Sequence, residues 1–205
     1  MNGPLGGVFL CAGGILTGLA WRVPRIGSLD QDLFQRVNSA QWPSMVDAVL
    51  RGLRFLGTKW VVLAVTLGLL IWEPLSGVAL AASALASGGL ERLVKLTVRR
   101  ARPFTALAGV RVRQHRPLDA SFPSGDAARA WLLFAFLMSA FSPSWPIWVG
   151  VGVLAGTVSL GRVRLGVHYP FDVWSGGCLG AGVGLVGSAI LHQLVGPAEM
   201  LVSSW

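Results

Sequence analysis

Lys95, Arg102, Ser124, Gly125, Arg162, His168 and Asp172 are gathered in three short polar clusters of a mostly apolar chain. Arginine offers a planar fork that matches phosphate oxygens, and lysine adds a point charge. Lys95 and Arg102 are seven residues apart, so a continuous helix aims both at one anion. Ser124 and Gly125 open an apolar run, where free backbone N–H groups and the helix dipole also favour an anion. Gly125 lets the backbone approach it. His168 and Asp172 are four apart, so the carboxylate can fix the imidazole tautomer and stabilise its charged form. A histidine held in this way can attack phosphorus.

Each piece has a plainer reading when taken singly. Lysines and arginines at the ends of apolar runs commonly snorkel to the interface. Glu91 and Lys95 make an i,i+4 ion pair, and a lone Ser-Gly is a helix start. The three clusters together, on one side of a bundle, favour the chemical reading.

The surrounding elements are membrane spans. Of 205 residues, 53% are hydrophobic and only 13% charged, about half the charged share of a soluble domain. Six runs approach the ~20 apolar residues that cross a bilayer: about 5–21, 60–72, 75–98, 124–141, 147–165 and 171–195. The expected fold is all-α, a six-transmembrane-helix bundle forming one domain over 1–205. Between the first two spans, Leu33, Val37, Val46, Val49, Leu50 and Leu53 recur at helical spacing, which predicts amphipathic interfacial helices.

The formal charge of +8 accumulates at the span ends, which suits lipid headgroups or an anionic substrate rather than nucleic acid. Cys11 and Cys178 lie within apolar runs and suggest neither a metal site nor a disulfide. The N-terminal MNGPLGGVFL carries no positive n-region, so no cleaved signal peptide is expected. Six spans put both termini on one side, and all 17 Lys and Arg residues fall in or beside the loops of the other. The positive-inside rule makes that loop-bearing side cytoplasmic.

The chain resembles the type 2 phosphatidic acid phosphatases, or lipid phosphate phosphatases, relatives of the vanadium haloperoxidases. Their pattern is Lys-x6-Arg-Pro, Pro-Ser-Gly-His and Ser-Arg-x5-His-x3-Asp. Lys95, Arg102 and Pro103 match the first motif; Pro123, Ser124 and Gly125 match three of four positions in the second. Arg162, His168 and Asp172 match the third, with Gly161 in place of Ser. The motif region is about 91–175. SFPSG followed by Arg129 is most similar to the branch acting on isoprenoid diphosphates, including presqualene diphosphate.

This resemblance implies a metal-independent hydrolase of lipid phosphates in a cell membrane, needing no cofactor. His168 would be the nucleophile that forms a phosphohistidine, and Asp172 would orient it. Lys95, Arg102, Ser124, Gly125 and Arg162 would hold the phosphate. The family's leaving-group acid is the fourth residue of the second motif, and here it is Asp126. Three explanations stay open: a natural variant whose leaving group needs little protonation, an introduced change that silences turnover, and a silent lipid-phosphate-binding scaffold. A diphosphate substrate fits the first, because a lipid monophosphate leaves more readily than an alkoxide.

Overall fold

The computed structural model describes residues 4–202, with side chains to residue 196. Helix α1, Pro4–Gly18, tightens into a 3₁₀ turn at Leu19–Arg22. Helices α2, Pro24–Ser39, and α3, Ser44–Leu53, follow, and a second 3₁₀ turn at Arg54–Gly57 leads into α4, Lys59–Trp72. Then come α5, Pro74–Val98; the short α6, Pro103–Ala106; α7, Gly125–Phe141; α8, Trp145–Arg164; and α9, Pro170–Val202. No strand occurs among the described residues.

Local chemistry sets the boundaries. Pro24, Pro74 and Pro103 begin their helices, where a missing N–H costs nothing and φ is already helical. Helices α5 and α7 end on residues with positive φ, Arg99 at 49° and Ser142 at 42°. Their N–H groups reach back to the carbonyls of Lys95 and Met138 at 3.1 Å each.

By length and apolarity, Pro4–Arg22, Pro74–Ala106, Trp145–Arg164 and Pro170–Gly196 can each cross a membrane. Ser44–Gly57 and Lys59–Trp72, bent by 48° at their junction, make a fifth crossing if they act as one span. Helix α7 has 17 residues. It is the most enclosed helix, packed between α5, α8 and α9. Close packing there depends on small residues, as is usual when apolar burial gives no preference over lipid. A Cβ on Gly180 of α9 would strike the Ala128 carbonyl, and one on Gly176 the Ser124 carbonyl.

Helix α2 faces inward with Gly27, Asp30, Phe34 and Asn38, while Leu29 and Leu33 point outward. The helix exists where the spacing predicts one. Its inner face, however, carries polar groups that tie it to the rest of the molecule, and part of its apolar face is exposed.

Candidate active site

The C-terminal end of α5, the loop 107–124, the start of α7, the end of α8 and the 165–169 turn converge at one end of the bundle. His168 lies in that turn and is 2% exposed. Its Nδ1 is 2.8 Å from the Ser121 carbonyl oxygen, which can only accept, so Nδ1 carries the proton. Nε2 then keeps its lone pair, and Arg102 Nη1 lies 3.3 Å from it. Burial pushes the pKa of His168 down to about 4; Asp172 opposes the shift and the charges of Arg102 and Arg162 add to it. The imidazole is therefore neutral near pH 7.

Asp172 is not hydrogen-bonded to His168. The expected contact is a 3.7 Å approach between Nδ1 and Oδ2, beyond hydrogen-bond range. Asp172 instead accepts from Arg100 at 2.7 Å, from the Tyr169 N–H at 2.9 Å and from the Ser121 hydroxyl. Ser121 thus stands between them, with its carbonyl on His168 and its hydroxyl on Asp172.

Lys95 and Arg102 do not share a helix face, because α5 stops at Val98 and Arg102 lies on extended backbone beyond the Arg99 turn. They still meet at one anion. Asp119 Oδ2 is 2.6 Å from Lys95 Nζ, and Asp119 Oδ1 is 2.7 Å from Arg102 Nη2. Partial burial pushes the Asp119 carboxyl up, but the hydrogen bond and charge of Lys95 and the charge of Arg102 outweigh it and hold the pKa at about 2. Asp119 is therefore a carboxylate at every ordinary pH.

Arg162, Ser124, Gly125 and Asp126 join through a second set of pairs. Arg162 Nη1 contacts Asp126 Oδ2 at 3.0 Å and Gln114 Oε1 at 2.9 Å. Asp126 Oδ1 takes Arg129 Nη2 at 2.7 Å, Arg129 reaches Glu91 at 3.3 Å, and Glu91 pairs with Lys95 at 2.7 Å. The Glu91 carboxylate lies against Gly125, where an added Cβ would strike it. Ser124 precedes α7 without capping it. Its hydroxyl and the Nε of Arg162 are both buried without a partner, although a buried donor normally finds an acceptor. These two unpartnered donors lie near the cations Lys95 and Arg102, which Asp119 already engages, and near the start of α7, whose first N–H groups have no partner within the helix.

The family model for the PAP2 superfamily matches residues 76–195. The chain belongs to the PAP2 superfamily. It is 28% identical over 172 residues to the undecaprenyl-diphosphatase of Sulfolobus acidocaldarius, covering 83% of this chain and 81% of that one. The decaprenylphosphoryl-5-phosphoribose phosphatase of Mycobacterium tuberculosis is 35% identical over 105 residues, covering 51% of this chain and 55% of that one. The chain thus spans about half of that relative's length. The crystal structure of Aquifex aeolicus LpxE superposes with a TM-score of 0.69 at 26% identity, over 76% of this chain and 92% of that one. The PAP2-type phosphatidylglycerolphosphate phosphatase of Bacillus subtilis superposes with a TM-score of 0.77 at 21% identity, over 95% and 98%, and so shares the fold. With its apolar helices, this PAP2 chain is a multi-pass integral membrane protein of a phosphatase family.

The seven motif residues meet in one region. Sequence reasoning missed Asp119, Ser121 and Arg100. Ser121 reaches His168 through its main-chain carbonyl, which leaves no trace in side-chain type. Asp119 had one available signal, as the only carboxylate among the arginines of residues 99–123.

Proposed function

We propose that this PAP2 protein is a lipid phosphatase or diphosphatase that works through His168. The observation that carries the proposal is the His168 tautomer: a buried neutral imidazole with Nδ1–H held by Ser121 and the Nε2 lone pair beside Arg102. In the first step the Nε2 lone pair forms a bond to the terminal phosphorus as its P–O bond to the leaving group, a lipid alkoxide or a lipid monophosphate, breaks, and the leaving oxygen takes that electron pair. Imidazole gains positive charge, and Asp172, 3.7 Å away, favours it electrostatically. Water then attacks the phosphoryl group, the P–N bond breaks, and inorganic phosphate is released. Lys95, Arg102, Arg162 and Ser124 bind the phosphoryl oxygens throughout.

An isoprenoid diphosphate is the favoured substrate. Both oxygens of Asp126 are engaged by Arg129 and Arg162, so this side chain holds no proton for a leaving alkoxide. A lipid monophosphate leaving group needs little help, since its second pKa is near 6. Both curated relatives are named for polyprenyl compounds, which supports the same lipid class. An apolar groove of about 500 Å³ between α4 and α5 ends at Glu91 and Arg129 and suits a lipid chain. We take the protein to cross the membrane six times, with α7 as the fourth crossing and the site cytoplasmic.

The test is phosphate release from a panel of lipid monophosphates and diphosphates by the full chain and by His168→Ala. Release is expected only with His168 present, and highest with isoprenoid diphosphates. An acid-labile, base-stable phosphoryl adduct should be trapped in the parent and absent from the variant. Undiminished release by His168→Ala sinks the proposal.

A further inference from the structure

A chain of buried charges lies behind the site and reaches α2. Arg100 donates to Asp30 Oδ2 at 2.6 Å through Nη2 and to Asp172 Oδ1 at 2.7 Å through Nη1. Asp30 and Asp172 are fully buried and Arg100 is 6% exposed. The guanidinium carbon lies 3.9 Å from the Tyr169 ring centroid and 4.4 Å from that of Trp21. The second oxygen of Asp30 accepts the Phe171 N–H at 3.0 Å, so Asp30 also holds the backbone between His168 and Asp172.

A simple clamp joining α2 to α9 explains part of this. An apolar contact makes a clamp more cheaply, because three buried charges are costly to desolvate. Charge balance points further. Burial pushes the Asp30 carboxyl up and the Arg100 guanidinium opposes it; with Asp30 ionised in its 2.6 Å pair to Arg100, Asp30, Arg100 and Asp172 together carry a net −1 behind His168, whereas Arg100 alone would cancel Asp172. That residual charge favours the imidazolium character developing as Nε2 bonds to phosphorus. The other groups around the imidazole are Arg102 from the α5–α7 connection, Arg162 from α8 and, more distantly, Asp126 from α7. Two of these three are cations, so the anionic side depends on Asp172 and on whatever balances Arg100.

We propose that Asp30, acting through Arg100 and Asp172, is a positioning residue that sets the orientation and effective charge around His168. The chain runs from Asp30 to Arg100, to Asp172, to the Ser121 hydroxyl, and through the Ser121 carbonyl to His168 Nδ1. Helix α2, which contributes no phosphate-binding group, thereby joins the reaction. The proposal rests on His168 being the nucleophile.

Asp30→Asn is the test, since Asn keeps the shape and removes the charge, its one carbonyl oxygen still accepting from Arg100 or from the Phe171 N–H. The full chain contains three histidines, so ¹⁵N-histidine spectra resolve each ring, and His168→Ala assigns the signal of His168. In Asp30→Asn, kcat is expected to fall about 10–100-fold, the scale that misorientation of a reacting group produces, with KM and the affinity for inorganic phosphate unchanged. The acid limb of kcat/KM and the ¹⁵N titration of His168 should both move to lower pH, because a negative charge near the imidazole is gone. Asp30→Glu should return the titration to its original position. An unchanged titration in Asp30→Asn overturns the proposal. So does a loss of phosphate affinity shared equally by the Asn and Glu variants, which marks a clamp and nothing more. If His168→Ala still turns over, the nucleophile reading fails, yet the spectra still report whether Asp30 governs the imidazole.

Discussion

Asp126 Oδ2 lies 3.0 Å from Arg162 Nη1, so a carboxylate occupies a guanidinium expected to grip phosphate. With Arg129 on its other oxygen, Asp126 is an acceptor at the position where the motif pattern of the resembled family has His. Asp126→His restores a donor and releases Arg162. Turnover of lipid monoesters is expected to rise by up to about 10²–10⁴-fold, the usual worth of general acid catalysis. Turnover of diphosphates should rise much less, because their leaving group needs little protonation. Equal gains on both substrate classes, measured as initial phosphate release, count against the leaving-group argument.

The Asp119 carboxylate bridges Lys95 and Arg102, and incoming phosphate must displace it or share those cations. Its side chain is 52% exposed, so each pair is modest, about 1 kcal/mol or less. Asp119→Asn is expected to tighten inhibition by inorganic phosphate severalfold, with a smaller gain at high ionic strength, where exposed charges are screened. Weaker inhibition instead would show that Asp119 holds the two cations in place.

His168 should remain neutral well below the pH at which an ordinary imidazole charges. Its pKa of about 4 lies below the 6.5 of an ordinary imidazole, chiefly because the ring is buried. Between these values a solvated histidine is mostly protonated, while this one keeps its Nε2 lone pair. Attack at phosphorus is thus available above about pH 4 and lost as pH falls through it. A ¹⁵N-histidine titration should place the His168 transition near 4, and Arg102→Gln should move it upward by removing a neighbouring positive charge. A transition at 6.5 in the parent protein refutes the neutral buried imidazole.

The phosphate-binding candidates were legible because their chemistry is carried by side-chain type over short spacings: Lys95 with Arg102, Ser124 with Gly125, and Arg162 with His168. The break between the second and third spans was legible for the same local reason, with Pro74 opening α5. Long-range partners were not. Asp30 meets Phe171 across 141 residues, and no local pattern links an acidic residue of an apparent interfacial helix to the start of α9. The i,i+4 spacing of His168 and Asp172 suggested direct contact. That spacing presumes one helix, yet His168 precedes α9, which begins at Pro170, and the Ser121 carbonyl accepts the Nδ1–H hydrogen bond instead. The seven-residue spacing of Lys95 and Arg102 misled similarly, because the left-handed Arg99 ends the helix between them.

Orientation can be read from Leu118, which projects wholly into the open beside Asp119. The site loops carry the lysines and arginines, and positive loops are retained on the cytoplasmic side. Leu118→Cys should therefore resist a membrane-impermeant maleimide in intact cells and react once the membrane is opened. Ser144, exposed in the turn before α8 at the other end of the bundle, supplies the converse: Ser144→Cys should react in intact cells. The native thiols interfere little, since Cys178 is buried and Cys11 half-buried among apolar helices. Labelling of position 118 with protection of position 144 reverses the assignment, placing phosphate release outside the cytoplasm while leaving the chemistry of His168 untouched.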